Sequence, residues 1–303
     1  MSTFRSIVSL LVAFAAVNAS AADAFSCSAL DARRDHVVTA ETTLGDVPAI
    51  VRVPPKISKA PIVLWHGFGP PASEAALMDA LPLDEVPAVK VYLGLPLFGK
   101  RAEPGGVEAL KRRQETDVAL QVFEPVVAGA AKELPSVLRA LQADGCAKSG
   151  ERIGLFGFSA GGAAVLHALA ERDVPIGTAV VLNASIGLSA SVAAYERATG
   201  KGYVWSDAAR DLAKRTDAVG RADAIATGHP ALLIVQGTSD AMLTPQLAKS
   251  LHSALAPLYE GRDADREQLM LLDGLSHNVT DAAGIDDLRR RIGGWFNRHL
   301  DRS

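Results

Sequence analysis

Hydrophobic positions in this chain take two alternating forms: short unbroken apolar runs, and longer stretches where apolar residues return at helical spacing. The runs Pro61–Trp65, Ile153–Phe158, Thr178–Leu182 and Ala231–Val235 read as strands, and Ala88–Leu93 and Gln268–Leu272 as two more. A strand covered on both faces needs such a run rather than strict alternation. Earlier, Val37–Thr43 and Ala49–Val53 are rich in β-branched residues, with Gly45-Asp46 placed to turn between them and Pro54-Pro55 to end the pair. Ser73–Leu81 predicts a short helix, and Thr244–Tyr259 another with Pro245 in its first turn. Leu288, Ile292, Trp295 and Phe296 predict the apolar face of a closing helix. Over Asp117–Asp144, Val118, Val122, Val126, Leu134, Val137 and Leu141 keep helical spacing, and Pro125 and Pro135 are expected to kink or divide that helix. Pro96–Thr116, with its proline, glycines and charges, reads as a loop carrying one helical turn.

Strands alternating with helices predict an α/β architecture with a mostly parallel sheet wrapped on both faces. In such sheets the working groups gather at the carboxyl ends of the strands. No Pro/Gly/Ser linker or internal repeat divides the chain, so residues 22–303 are expected to form one domain. Ala184–His229 holds no strand-like run and is longer than an ordinary connection. It concentrates Tyr195, Tyr203 and Trp205. The expectation is a small helical cap over the site at 184–229, the plainer alternative being an elaborated pair of surface helices.

The first residues carry their own pattern. Arg5 precedes the apolar core Ile7–Val17, and Ala19-Ser20-Ala21 offers a small-x-small cleavage site. Residues 1–21 therefore read as a signal peptide. The apolar run falls short of the ~20 residues of a membrane-spanning helix. The mature chain is expected to be exported, periplasmic or secreted, with no membrane attachment after cleavage. In an oxidising compartment an even cysteine count favours pairing, so Cys27 and Cys146 are expected to form a disulfide. A net charge of -3 and a pI near 6.2 provide no basic footprint for nucleic acid. No P-loop, no G-x-G-x-x-G after the first strand and no metal-ligand cluster is found, so no cofactor is expected.

Candidate chemistry centres on Gly157-Phe-Ser-Ala-Gly161, a G-x-S-x-G between a predicted strand and the helix-forming Ala163–Ala170. A Cβ at 157 or 161 should collide with neighbouring backbone in so sharp a turn. Ser159 would stand at its tip, with the Ala160 amide at the helix start aimed at a developing oxyanion. A serine hydroxyl needs a base, and His277 follows the strand ending at Leu272. The base needs a carboxylate to hold its tautomer, and Asp240 follows the preceding strand. Asp273 is the rival, four residues before His277. His66 reads as a residue that holds its loop, His167 and His252 fall within helices, and His36, His229 and His299 show no partner pattern. Asn183-Ala-Ser185 and Asn278-Val-Thr280 match the glycosylation sequon and are read as chance.

The order Ser159, Asp240, His277, with the His66-Gly-Phe-Gly69 loop, Gly237-Thr-Ser-Asp240 and Gly274-Leu-Ser-His277, resembles the α/β-hydrolase superfamily. Within it the chain is most similar to secreted dienelactone-hydrolase-like and prolyl-oligopeptidase-like serine hydrolases. The resemblance implies the α/β-hydrolase fold, with Ser159 as nucleophile, His277 as base and Asp240 as orienting acid. It also implies an oxyanion hole from the loop at Gly67-Phe68 together with Ala160, Phe68 being assigned and Gly67 the runner-up. The expected activity is hydrolysis of a small-molecule carboxylic ester through an acyl-enzyme. Alternatives are an exopeptidase or amidase using the same residues, an acyltransferase, or a binding protein without catalysis. The peptidases of the superfamily usually add a propeller, for which this chain leaves no room.

Overall fold

The computed structural model describes residues 25–27, 35–279 and 284–302; the expected leader at 1–21 lies outside them. Antiparallel strands need only a turn between them, and the chain begins that way. Strands β1 (Val38–Leu44) and β2 (Val47–Val53) form a hairpin, with Gly45 at φ 55° and Asp46 at φ 69° in its turn. The remaining strands are β3 (Ile62–Trp65), β4 (Lys90–Leu93), β5 (Ile153–Phe158), β6 (Ile176–Leu182), β7 (Ala231–Gly237) and β8 (Glu267–Leu272). They join one sheet in the order β1-β2-β4-β3-β5-β6-β7-β8. β2 pairs with β4 antiparallel, and every pair from β4 onward is parallel.

Parallel strands require crossovers, and helices supply them on both faces. The helices are α1 (Glu74–Ala80), α2 (Gly106–Asp117), α3 (Gly129–Ala143), α4 (Ala160–Glu171), α5 (Leu188–Thr199), α6 (Asp207–Thr216), α7 (Ala222–Ala226), α8 (Pro245–Leu255) and α9 (Ile285–His299). Alternate strand residues feed opposite cores, as the pleat demands. Val63, Leu155 and Val181 pack with α3, α4 and α8, whereas Ile62, Phe156 and Val180 pack with α1 and α9. β3 to β7 are buried on both faces, which is why β3 and β5 are unbroken apolar runs and β6 and β7 nearly so. β4 departs from this with the buried Lys90, whose Nζ donates to the Val86 carbonyl at 3.1 Å, and β8, at the edge, is only partly covered. Cys27 and Cys146 are joined by a disulfide, Cα atoms 5.1 Å apart, which ties the early segment to the loop before β5. As expected, 184–229 contains no strand; it forms α5, α6 and α7.

Two expectations need correction. Part of the stretch read as a loop, Pro96–Thr116, is the twelve-residue α2. Its only buried residue is Ala109, so it carries no apolar stripe for the sequence to display. The helical region after it breaks from α2 at Asp117, and its winding changes at Gly129 rather than at either proline. Asp117 is extended (φ -164°), and its Oδ1 accepts from the Ala119 and Leu120 amides, both at 3.0 Å. Val118–Ala128 is then π-helical, with the Gly129 N–H reaching the Glu124 carbonyl five residues back. Pro125 lies inside it. A proline ring strikes the carbonyl four residues earlier in an α-turn, and the wider winding moves that carbonyl away. Pro135 is carried within α3 without ending it.

Candidate active site

Ser159 sits at φ 54°, ψ -114° between the last residue of β5 and the first of α4. A non-glycine residue pays for that conformation, and the surroundings enforce it. A Cβ at Gly157 would lie 2.2 Å from the Gly161 carbonyl oxygen, and one at Gly161 2.4 Å from that of His66. The glycines therefore let strand, turn and helix close on one another, as the motif predicts. The Ser159 amide donates to the Leu182 carbonyl at 3.0 Å, and its own carbonyl accepts from Ser185 N–H at 3.2 Å.

Two loops from neighbouring strands bring the other groups to this tip. His277 Nε2 lies 3.1 Å from Ser159 Oγ, and His277 Nδ1 lies 2.8 Å from Asp240 Oδ2. A carboxylate only accepts, so Nδ1 carries the proton and Nε2 is left to accept from the serine hydroxyl. Asp240 is buried, and its Oδ1 accepts from the Met242 and Leu243 amides at 2.8 Å each. These bonds fix the carboxylate and offset the cost of burying its charge. Asp273 points elsewhere, accepting from Thr238 Oγ1 at 3.1 Å. Such an arrangement can move a proton from alcohol to imidazole while the carboxylate holds the imidazolium that forms.

The loop after β3 is anchored from within. His66 Nδ1 donates to the Gly67 carbonyl at 2.7 Å, and its Nε2 accepts from the Leu95 N–H at 3.1 Å. Burial holds this imidazole's pKa down to about 4, so it stays neutral and works as a clamp between the ends of β3 and β4. That is the holding role the sequence suggested.

Beside Ser159 a cavity of about 330 Å³ opens between the π-helical stretch, α5 and the loop that follows Asp240. Phe68, Ala160 and His277 border it together with Val118, Phe123, Leu188, Val192, Tyr195, Met242 and Leu243. Among the described residues its lining holds no carboxylate, lysine or arginine. The described residues contain no group of three or more His, Cys, Asp or Glu placed to hold a metal ion, and no helix long and apolar enough to cross a membrane.

Sequence reasoning passed over the residues that hold the loops in place. Asn183, at the end of β6 with φ 44°, is fully buried. Its Nδ2 donates to the carbonyls of Ser276 (2.9 Å) and His277 (3.4 Å), and its Oδ1 accepts from Gly237 N–H at 2.8 Å. Gln236 Nε2 donates to the Leu243 carbonyl at 2.9 Å and to Asp240 Oδ2 at 3.3 Å. The one available signal was a polar residue at the end of each apolar strand run. Three histidines also have partners that the sequence did not suggest, one of them being His36, whose Nδ1 is 2.6 Å from Asp35 Oδ1. His229 Nδ1 is 2.6 Å from Asp263 Oδ2, and His252 Nδ1 is 2.8 Å from Oε2 of Glu267. Burial raises the Glu267 carboxyl's pKa, and the His252 contact opposes that rise.

Known structures share this fold. The Thermus thermophilus protein TT1662 aligns with a TM-score of 0.66 at 20% identity, over 87% of this chain and 98% of its own. The Pyrococcus furiosus esterase Pf2001 aligns with a TM-score of 0.59 at 15% identity, over 88% of this chain and 91% of its own. An acylaminoacyl peptidase from Pyrococcus horikoshii aligns with a TM-score of 0.61 at 15% identity, over 91% of this chain but only 44% of its own. At these identities the likeness is one of fold, the α/β-hydrolase fold. No curated protein matches the chain by sequence. A sequence profile of the prolyl oligopeptidase family matches residues 129–303, a span that holds Ser159, Asp240 and His277. With more than half of its length matched, the chain belongs to the prolyl oligopeptidase family, and is a serine hydrolase of esterase or peptidase type.

Proposed function

We propose that the chain hydrolyses carboxylic esters through an acyl-enzyme formed on Ser159. The observation that carries this reading is the unbroken relay from Ser159 Oγ to His277 Nε2 (3.1 Å) and from His277 Nδ1 to Asp240 (2.8 Å). In acylation, the Oγ–carbonyl carbon bond forms as the Oγ proton passes to His277. The ester C–O bond then breaks, and the alcohol leaves with that proton. Water repeats the sequence and releases the acid. The Phe68 and Ala160 amides hold the oxyanion. The Gly67 amide is engaged with the Pro71 carbonyl at 3.2 Å, which favours Phe68 as the donor from that loop.

The uncharged cavity supports an ester over a peptide with a free amino terminus, because an ammonium placed there would find no carboxylate partner. Residues 184–229 serve as a cap, a reading supported by the side chains that α5 places along the cavity wall. The buried disulfide supports an exported, oxidised protein. The family match favours a second reading, cleavage of peptide bonds by the same three residues.

A serine-directed phosphonate should label Ser159, and Ser159→Ala should abolish both labelling and hydrolysis. Rates on a nitrophenyl ester and on aminoacyl anilides separate the two readings. Faster anilide cleavage would overturn the ester assignment, and full activity in Ser159→Ala would overturn the mechanism.

A further inference from the structure

We infer that the site selects esters with apolar, uncharged acyl groups, and that Phe123 and Val192 set the depth of the acyl pocket. This rests on the ester-hydrolase reading of Ser159. The cavity beside Ser159, about 330 Å³, lies at the lower end of the size range of small-molecule sites. Its walls come from two separate elements. Phe123 projects from the π-helical stretch, while Leu188 and Val192 project from α5. All three side chains are buried and belong to the larger core cluster, so packing from behind holds each in place. A wall held that way gives the pocket a defined depth. Met242 is different. It is half-exposed and unbranched, which suits an adaptable rim.

Two of the polar side chains in the lining are already engaged with partners of their own. Ser185 Oγ is bonded to the Gly187 carbonyl at 2.9 Å and to Ser191 Oγ at 2.7 Å, so these hydroxyls are satisfied by one another and by backbone. A charged acyl group entering here would lose its hydration and meet no opposite charge among the described lining residues. Phe68 and Ala160, whose amides hold the oxyanion, border the cavity, so it adjoins the reacting carbonyl. Of the two groups on that carbonyl we place the acyl chain here, and an acyl series at constant leaving group tests that choice. The acyl chain stays on Ser159 after the alcohol has gone, so an apolar wall at this position keeps its partner through both half-reactions.

Para-nitrophenyl acetate, butyrate and hexanoate, with the hemisuccinate as a charged counterpart of the butyrate, test this at constant leaving group. kcat/KM should rise about fourfold per methylene until the chain fills the pocket. The hemisuccinate should fall about a hundredfold below the butyrate. Val192→Phe should lower the hexanoate-to-acetate ratio about tenfold, and Phe123→Ala should move the optimum to longer chains. Phe123→Leu takes its place if the alanine variant does not fold, with a smaller shift in the same direction. A flat acyl series, a hemisuccinate turned over like the butyrate, or ratios unmoved in the variants would overturn the acyl pocket while phosphonate labelling of Ser159 leaves the hydrolase reading intact. Loss of both labelling and all ester cleavage in the wild type would instead remove the reading beneath it.

Discussion

Asn183 is the most informative residue to perturb, because one carboxamide joins three strand ends. It leaves β6, holds Gly237, the last residue of β7, through its N–H, and grips the backbone on either side of the Ser276-His277 peptide. Gly237 itself has no room for a side chain, since a Cβ there would lie 2.2 Å from the Leu275 carbonyl oxygen. The His277 loop is thus pressed against β7 and pinned by Asn183. In Asn183→Ala the buried Gly237 N–H loses its partner, a loss of about 1–3 kcal/mol. Alanine at φ 44° adds about 1 kcal/mol, because asparagine tolerates this region and alanine does not. Together these predict a loss of about 3 kcal/mol in urea unfolding. Asn183→Asp separates the two roles: it keeps an acceptor for Gly237 and tolerates the backbone angle, but it turns an anion toward two carbonyls. If Asn183 positions His277, kcat on a nitrophenyl ester should drop by about tenfold to a hundredfold in both variants with little change in KM. The rate of Ser159 phosphonylation, read well below the unfolding transition, should fall in parallel. Destabilised variants with undiminished kcat and labelling rate would refute the positioning argument and leave Asn183 a purely structural residue.

Asp240→Asn should keep the acceptors for the Met242 and Leu243 amides yet turn an amide toward His277 Nδ1, favouring the wrong imidazole tautomer. kcat should fall about 10⁴-fold with thermal stability largely retained, and a loss under tenfold would point to another orienting acid. His66 makes stability depend on pH. Its folded pKa of about 4 lies below the ~6.5 of an unfolded imidazole, so below pH 6.5 only the unfolded state takes up this proton. The stabilisation is complete above pH 6.5 and is lost as pH falls toward 4, by about 3 kcal/mol. Urea midpoints of wild type and His66→Gln, compared at pH 7 and 4.5, should show a smaller acid loss in the variant; equal losses would refute the assignment.

Much of this molecule was legible in one dimension because its strands are buried on both faces. Burial of that kind favours continuous apolar runs, and β3, β5, β6 and β7 stand where such runs occur, while β4 carries the buried Lys90. The elbow was legible from its motif, although only Gly157 answers to a local contact, the Gly161 carbonyl; Gly161 itself is demanded by the His66 carbonyl on the distant loop after β3. Helix α2 was not legible, since a helix exposed around nearly its whole circumference displays no hydrophobic period. The π-helical winding was hidden as well. Apolar spacing over 118–128 is compatible with either helix, and what separates them is a backbone hydrogen bond to the fifth residue rather than the fourth.

Residue types and order could nominate Ser159, Asp240 and His277, but Asp240 and Asp273 differed only in where the end of β7 lies relative to β8. That is a matter of sheet register, and register is set by pairing between strands. Asn183 and Gln236 act through carbonyls and amides of loops up to 94 residues away, and Phe123 meets Val192 across a cavity walled by two separate crossovers. The chain by itself therefore determined which elements form and which chemistry they bring. Only the folded sheet, by stacking the carboxyl ends of β5, β6, β7 and β8 side by side, decided which side chains meet and what space is left beside the serine. Burial writes its pattern locally in sequence, whereas contact between distant loops depends on strand order and register, which no local pattern encodes.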